Sequence, residues 1–338
     1  MNSIKDVLFS LCSACGTGNI DEASLTAEKI LSQYAECERK SNLTVIGRMK
    51  GESDYTLMLD AHIDEVGFVV TDISDDGFLT VAKCGGIDLR GLAAKRVMIH
   101  SKQKVTGVFC STPPHLAVGE VEYTDISAQK IDTALGGKAK DIISVGDYVT
   151  FCNRPAELLG SRVTAKALDD RAGVAVLLEL SRRLSGKKLP INVVFVLSDM
   201  EELGLRGAKT ATFGIEPDEA VAIDVSFGDA LDVAPHESGK LAGGAMIGIS
   251  PILSREISDR LTAIARENGI KYQPEVMGGR TGTNCDEISI SACGVKTGLI
   301  SIPQRNMHTD VEVVDLQDLE SICDILEKYI MAGGVKND

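Results

Sequence analysis

Apolar runs alternate with amphipathic segments at both ends of the chain. The runs INVVFVLSD, EAVAIDVS and VKTGLISIP, and a further one around residues 57–59, have the length and composition of buried strands. Helical spacing of apolar residues marks RAGVAVLLELSRRLS, REISDRLTAIARENG and LQDLESICDILEKYIMAG, and it predicts two helices before residue 36, the second over residues 22–35. Strands that alternate with helices of this length predict an α/β fold, with a mixed, largely parallel sheet sandwiched by helices.

A different pattern occupies the region from residue 71 to residue 162. Short β-type runs such as FLTVAKC, RVMIHS, KVTGVFC and DYVTFC are separated there by Gly, Pro and Asp or Asn turns. We predict a small β-barrel-like domain at residues 71–162. It would be inserted into an α/β domain whose two parts are residues 1–70 and 163–338.

The composition is that of a globular protein with an acidic surface. The chain has 338 residues, 44% of them hydrophobic, and a formal net charge of −14. Neither Lys nor Arg forms a sustained run, which argues against nucleic acid or an anionic membrane as a partner. No apolar stretch reaches 18 residues and the opening residues lack the pattern of a signal peptide, so we expect a cytoplasmic protein without a membrane segment.

The cysteines carry little functional signal. There are nine of them, an odd number scattered along a long chain, which favours reduced thiols over a disulfide framework. Cys12 and Cys15 form a CxxC within the first predicted helix, but no second Cys or His pair with structural-zinc spacing accompanies them. We therefore interpret this pair as incidental thiols.

Metal-capable side chains stand at the polar ends of apolar, strand-like runs: His62, Asp169, Glu202, Asp224 and His308. Parallel strands end at a common edge of the sheet, so residues far apart in sequence can converge there. Two histidines and three carboxylates make a mixed nitrogen and oxygen set that suits a pair of zinc-like or cobalt-like ions. Each residue alone has an ordinary structural explanation, but five such positions together favour the metal interpretation.

Neighbouring acids fit supporting roles. Asp64 lies two positions after His62, on the same side of an extended segment, where it can accept the second ring N–H of that histidine or simply belong to a surface loop. Asp169 and its neighbour Asp170 either cap the following helix or bridge two cations. Glu201 is either a general base for an activated water or part of a solvated helix N-terminus.

Eight segments of the chain resemble the M42 family of metallo-aminopeptidases, which includes glutamyl aminopeptidases and the tetrahedral TET peptidases. They run in the family's order from about residue 55 to residue 310: AHIDEVGFVV, CGGIDLRGL, GVFCSTPPH, ALDDRAG, DMEELGLRGA, AIDVS, GGRTGTNCDEI and ISIPQRNMHT. The resemblance therefore covers nearly the whole chain and implies a zinc-exopeptidase-like fold.

The resemblance also implies a site and a mechanism. Two divalent metal ions would bind each subunit, zinc or cobalt, with manganese as a third candidate. His62, Asp169 and Asp224 would hold one ion and Asp169, Glu202 and His308 the other, with Asp169 bridging. Glu201 would take the proton of a metal-bridging water as it attacks the carbonyl and pass it to the leaving amine, so peptides with a free N-terminus would be the substrates.

Further expectations follow from the same resemblance. The inserted domain would mediate dimerisation and self-association, up to a hollow dodecamer, and the peptide bond between Asp169 and Asp170 would be cis. Two departures from the family pattern fall near the expected position of the first substrate residue. Arg305, Asn306 and Met307 precede His308 where relatives have Arg-Tyr, and Asn284 replaces an aspartate. Both bear on specificity rather than on metal binding.

Other functions remain as alternatives. A dinuclear N-acyl amino-acid deacylase or a carboxypeptidase would use the same metals and base, and the family motifs favour an aminopeptidase over both. A glucanase needs two carboxyls that face each other across the scissile bond, and a chain with no Trp offers few platforms for sugar stacking. An inactive binding shell would have lost Glu201 or a ligand, and this chain retains all of them.

Overall fold

The computed structural model describes residues 3–113, 115, 125–231 and 233–335. The helices within these ranges are α1 (Ile4–Ser13), α2 (Glu22–Leu31), α3 (Ala139–Ile142), α4 (Leu168–Leu184), α5 (Arg206–Ile215), α6 (Arg255–Glu267), α7 (Cys285–Ile288) and α8 (Leu316–Met331). None of the helices in this part of the chain has both the length and the apolar content needed to cross a membrane.

The strands build three sheets. They are β1 (Glu36–Arg39), β2 (Val45–Met49), β3 (Thr56–His62), β4 (Gly67–Ile73), β5 (Leu79–Cys84), β6 (Arg96–His100), β7 (Lys104–Phe109), β8 (Lys130–Asp132), β9 (Tyr148–Phe151), β10 (Ala156–Glu157), β11 (Arg162–Ala165), β12 (Asn192–Ser198), β13 (Glu219–Phe227), β14 (Ala245–Ile249), β15 (Tyr272–Val276), β16 (Lys296–Gln304) and β17 (Glu312–Asp315).

An eight-stranded sheet in the order β1-β2-β12-β3-β13-β16-β14-β15 forms the centre of the molecule. The four middle strands, β12, β3, β13 and β16, are parallel, while β2 and β14 run antiparallel to their inner neighbours. Helices α1, α2, α4, α6 and α8 contribute to the core on one face, and α5 and α7 cover part of the other. The predicted mixed, largely parallel α/β fold is confirmed.

Burial on both faces explains the apolar runs of the middle strands. Six of the seven residues of β3 are buried, as are six of the seven in β12. Leu59 and Ile223 pack into the large core beneath α4 and α8, whereas Met58 and Ala222 pack on the opposite face with α5 and α7. Alternate residues of one strand thus serve two different layers.

A closed barrel follows β3 in the chain. Its six strands pair antiparallel in the order β4-β5-β8-β7-β6-β9, which leaves no open edge between them. Phe68 packs edge-to-face against Phe109 and Phe151, with ring centroids 5.1 and 5.6 Å apart. Strands β10 and β11 lie outside the barrel and form a three-stranded antiparallel sheet with β17, in which β11 is the middle strand. Residue 114 and residues 116–124 of the predicted β-rich region fall outside the described residues.

The sequence pattern missed several edge strands and misplaced one helix end. Strand β1 is mostly exposed and β15 contains Pro274, so neither has the apolar alternation of a core strand. Helix α2 ends at Leu31 rather than at residue 35, because the chain turns there into β1. These elements lie at or near the ends of the large sheet, where burial leaves the weakest mark on the sequence.

Candidate metal centre

The carboxyl ends of the parallel strands bring the candidate ligands to one edge of the sheet. His62 is the last residue of β3, and Asp224 lies in the second half of β13. Glu201 and Glu202 follow β12, and His308 lies in the loop between β16 and β17. Asp169 lies at the start of α4, where its backbone is not helical and its peptide bond to Asp170 is cis, as the family resemblance implied.

Two groups of three side chains share Asp169. One contains His62, Asp169 and Asp224, and the other contains Asp169, Glu202 and His308; within each group the ligand-type atoms all lie within 4.8 Å of one another. His62 Nε2 is 2.9 Å from Asp169 Oδ1 and 3.9 Å from Asp224 Oδ1. On the other side, His308 Nε2 is 3.2 Å from Asp169 Oδ2 and 3.4 Å from Glu202 Oε1. Each oxygen of Asp169 therefore faces a different histidine.

Glu201 adjoins this pair of groups without belonging to either. Its Oε2 lies 3.9 Å from His62 Nε2, and it forms a further cluster with His62 and Glu202. The side chain is largely buried, with 11% relative exposure. A carboxylate at the rim of the two groups is positioned to exchange a proton with a reacting molecule.

Asp64 holds the acidic loop after β12 in place. Its Oδ1 accepts the backbone N–H of Glu201 at 3.1 Å and its Oδ2 accepts that of Glu202 at 3.2 Å. The same Oδ1 is 3.4 Å from His62 Nδ1, a longer contact than an ordinary N–H···O bond. Asp64 thus lies beside the imidazole, but His62 Nδ1 has no hydrogen-bond partner among the described residues, and the hydrogen bonds of Asp64 go to the backbone of the two glutamates.

Sequence reasoning missed Glu312 and gave Asp170 only a minor part. Glu312 Oε1 accepts the His308 N–H at 2.8 Å and its Oε2 accepts the Asp169 N–H at 3.1 Å, so one buried carboxylate positions two candidate ligands. Asp170 accepts the His62 N–H at 3.2 Å. The available signal for Glu312 was its place at the inward-facing position of a strand, two residues before the buried Val314.

The barrel also borders the site. Two glycines follow β5, and a Cβ at Gly86 would lie 3.2 Å from His308 Nδ1. A Cβ at Gly85 would lie 3.1 Å from Glu202 Oε2. The close approach of this loop to two candidate ligands leaves no room for larger residues.

Burial dominates the electrostatics of the site. It raises the pKa of Glu201 to about 7 and that of Glu202 to about 8, and it raises the pKa of Asp224 well above its ordinary value. Burial lowers the pKa of His308, but Asp169 and Glu202 outweigh it and raise that pKa to about 9. Burial opposes ionisation of Asp169 as well, yet the two histidines hold its pKa below the usual range. The site concentrates more negative charge than its histidines balance.

The positions that depart from the family pattern lie around this centre. Asn284 is buried and donates through Nδ2 to Asp60 Oδ2 at 2.7 Å and to Ser198 Oγ at 2.9 Å. Asn306 is exposed and donates to the Val311 carbonyl. Arg305 is engaged by Asp229 at 2.8 Å. Cys12 and Cys15 are free, buried thiols, and neither belongs to the groups of ligand-type atoms found among the described residues.

Comparisons with known proteins identify the family of this chain. The family model of the M42 glutamyl aminopeptidases matches residues 44–325. A lysyl aminopeptidase of Pyrococcus furiosus is 29% identical over 82% of this chain and 81% of its own. A solved aminopeptidase from Desulfurococcus kamchatkensis superposes with a TM-score of 0.92 at 32% identity, covering 99% of this chain and 98% of that one.

A second solved structure adds information on assembly. The TET1 peptidase of Pyrococcus horikoshii is described as able to assemble into a tetrahedron or a large octahedral shell. It superposes with a TM-score of 0.85 at 29% identity, covering 97% of this chain and 99% of that one. Because the family model matches most of the length of this chain, the chain belongs to the M42 family of aminopeptidases and is a peptide hydrolase.

Proposed function

We propose that this protein is a dinuclear metal aminopeptidase that removes N-terminal residues from peptides. The observation that carries the proposal is the sharing of Asp169 between two groups of ligand-type atoms. His62, Asp169 and Asp224 would hold one divalent ion, and Asp169, Glu202 and His308 the other. The donor set of imidazoles and carboxylates suits zinc or cobalt, with manganese as a third candidate.

The charge of the candidate site fits two divalent cations. Asp169, Glu201, Glu202 and Asp224 together carry a formal charge of −4 when ionised, and the neighbouring histidines are neutral when they bind metal. Burial raises the pKa of three of these four acids, and the neighbouring histidines offset this effect only in part. Two ions of charge +2 would supply the missing positive charge.

The residues of this chain then have separate roles. Glu201 accepts a proton from the attacking water at its carboxylate and delivers it to the leaving amine. Asp64 keeps Glu201 and Glu202 in place through their backbone N–H groups. Glu312 does the same for Asp169 and His308. When bound, the two ions supply a Lewis acid for the scissile carbonyl and lower the pKa of water.

Family membership favours an aminopeptidase over a deacylase or a carboxypeptidase, which the same machinery would also serve. An enzyme that grips the end of a peptide by its free amine needs carboxylates near the scissile bond, and this site is rich in them. The related proteins do not share one side-chain preference, since the family is described as glutamyl and the Pyrococcus furiosus relative as lysyl. The preference for the first substrate residue therefore has to be deduced from the residues of this chain.

Glu201→Gln tests the general base. The variant should bind two equivalents of metal, measured by mass spectrometry of the desalted protein, and its kcat should fall by several orders of magnitude because the amide cannot accept the proton. Glu267→Gln, an exposed change of the same kind on α6, should retain normal turnover. Near-normal turnover of Glu201→Gln would contradict the assignment.

A substrate panel on metal-stripped protein tests the wider proposal. Aminoacyl anilides and their N-acetylated counterparts would be offered after reloading with zinc, cobalt or manganese. We expect cleavage only with metal and only of the free-amine substrates. Cleavage of the acetylated series alone would identify a deacylase instead.

We further propose that residues 71–162 mediate self-association, by analogy with the assemblies of the TET1 relative. Val145 and Leu159 in this region are 64% and 94% exposed, and apolar side chains of this kind are commonly covered in an assembly. Light scattering should give a mass that is a multiple of 36.0 kDa, and twelve subunits would match a dodecamer. A monomer at micromolar concentration would contradict this part of the proposal.

A further inference from the structure

The face of the sheet that carries Asp224, which we call the reactive face, also carries Glu275. This carboxylate belongs to neither ligand group. Glu275 lies on β15, and its register neighbour on β14 is Gly248, which has no side chain. The Ser301 hydroxyl on β16 donates to Glu275 Oε2 at 2.6 Å. The Glu275 side chain therefore extends from the edge of the sheet across β14 towards the strands that carry the site.

Strand register places this carboxylate near the candidate ligands. Asp224 and Ser301 are register partners in the parallel pair of β13 and β16, so their side chains emerge on the same face. Ser226 follows Asp224 by two residues and shares that face. Because neighbouring strands lie about 4.8 Å apart, the Glu275 carboxylate stands within roughly 10 Å of the Asp224 backbone.

Glu275 lacks a cationic partner among the described residues. Its side chain is only partly exposed, and burial raises its pKa, whereas the hydroxyls of Ser226 and Ser301 favour the ionised form. A largely desolvated carboxylate is normally balanced by Lys or Arg. Arg305 is engaged by Asp229, and Arg280 is exposed on the loop that follows β15. A bound molecule that brings its own positive charge would provide the balance.

We propose that Glu275 is a specificity-determining residue that binds the ammonium or guanidinium group of a Lys or Arg at the N-terminus of a peptide substrate. The inference rests on the proposed aminopeptidase function. With the scissile carbonyl at the two ligand groups, the side chain of the first residue begins at Cβ, two bonds from the carbonyl carbon. The four-carbon stem of lysine then bridges the gap to Glu275, with the two serine hydroxyls beside its charged end.

Glu275→Gln tests the assignment, because glutamine keeps the shape and can accept the Ser301 hydroxyl but carries no charge. Lysyl, arginyl, norleucyl and glutamyl anilides would be compared by kcat/KM; norleucine retains an unbranched apolar stem and lacks the ammonium. Wild-type protein should prefer the basic substrates to the norleucyl one. In the variant, the ratio of kcat/KM for the lysyl substrate to kcat/KM for the norleucyl substrate should fall by about ten- to hundredfold, which is the range for a hydrogen bond to a charged group.

Two controls separate this effect from general damage. Glu267→Gln removes the same charge from an exposed position and should keep the wild-type ratio. Glu275→Asp retains the charge on a shorter stem and should keep part of the basic preference. The ratio is the decisive readout, since a merely structural role would lower kcat/KM for all substrates together.

The outcomes are distinct. A wild-type preference for norleucine or glutamate over lysine overturns the role of Glu275. The same conclusion follows if the lysyl-to-norleucyl ratio of kcat/KM in Glu275→Gln stays within about twofold of that in Glu267→Gln, because this change is too small for the loss of a charged hydrogen bond. Either result leaves the aminopeptidase function intact. If no free-amine substrate is cleaved with any metal, the proposed function and this inference both fail. Should Glu275→Gln not fold, the wild-type preference and the Glu275→Asp ratio decide.

Discussion

Replacing Glu65 by glutamine would remove the only carboxylate that contacts two buried cations in the described structure. Glu65 Oε2 is 2.6 Å from Lys166 Nζ, and Oε1 is 3.1 Å from Arg171 Nη2. Oε1 also accepts the Gly16 N–H at 3.0 Å. The three charged side chains are 3%, 4% and 0% exposed, so water cannot take over from the lost charge.

The expected loss of stability is about 3–5 kcal/mol, the range for breaking a buried ion pair by removing one partner. Both cations would keep their bonds to backbone carbonyls, such as those from Arg171 to Leu11 and from Lys166 to Ala14, which limits the loss. Because the free energy of unfolding of a domain is typically about 5–15 kcal/mol, the variant should still fold.

Urea unfolding of metal-free protein, followed by circular dichroism, measures this change without the contribution of metal binding. Glu38→Gln is the matched control, since Glu38 pairs with Lys40 at 2.7 Å but both side chains are nearly half exposed. The loss of unfolding free energy in Glu38→Gln should stay within about 1 kcal/mol. An equally small loss in Glu65→Gln would refute the argument, because it would mean that Lys166 and Arg171 do not depend on this carboxylate.

The pH dependence gives a second test of the same residue. Burial raises the pKa of Glu65, but Lys166 and Arg171 outweigh it and hold that pKa below its ordinary value. A carboxyl with a lowered folded pKa stabilises the protein above its unfolded pKa, near 4.3, and this contribution is lost as the pH falls through the folded pKa. The stability difference between wild type and Glu65→Gln should therefore narrow below about pH 4. A constant difference down to pH 2 would contradict the ion-pair explanation.

Two further substitutions test the support of the metal centre. Glu312→Ala should weaken zinc binding by about 10–100-fold in a chelator competition, because the backbone N–H groups of Asp169 and His308, two candidate ligands, lose their acceptor. Unchanged affinity would show that Glu312 is dispensable. Gly86→Ala should lower kcat by about tenfold or more, because its Cβ would displace the His308 ring, which lies 3.2 Å away. Gly91→Ala is its control, since a Cβ there meets no atom within 4 Å; equal activity of the two variants would contradict the steric argument.

The sequence predicted the candidate ligands best where they lie at the polar ends of buried strands. His62 and Asp224 could be recognised because each follows an apolar run, and parallel strands must end at a common edge. Asp169 and His308 were also predicted from neighbouring apolar runs, although both lie outside strands, and the family resemblance added how the ligands would be divided between two ions. Their proximity in the structure follows from the backbone path between β16 and β17 and from the start of α4.

Residues whose roles depend on tertiary register were not predictable. Glu312 and Glu275 lie on short strands with mixed polarity, and nothing nearby in sequence shows what each carboxylate faces. Glu275 becomes significant only once β15 is placed beside β14, with Ser301 within reach. Pairing of this kind is set by the packing of whole layers rather than by local pattern.

Near the carboxyl ends of β13 and β16, the apolar core lies on one face and the polar side chains of the site lie on the other. On β13, Val221, Ile223 and Val225 point into the large core, while Asp224 and Ser226 point to the opposite side. The same alternation on β16 directs Ile300 and Ile302 into the core and Ser301 towards Glu275.

This division has a consequence for substitutions on adjacent residues. Truncating Ile223 to Ala should cost about 2–5 kcal/mol through the cavity it leaves. A change at Asp224 removes an acid whose own burial is unfavourable, as its raised pKa shows, so the metal-free fold should tolerate it far better. Similar losses of metal-free stability for Ile223→Ala and Asp224→Asn would show that the reactive face also supports the fold. Asp224, a candidate ligand, is thus a position where the sheet carries an unfavourable buried acid, whereas its neighbour Ile223 stabilises the fold through apolar burial.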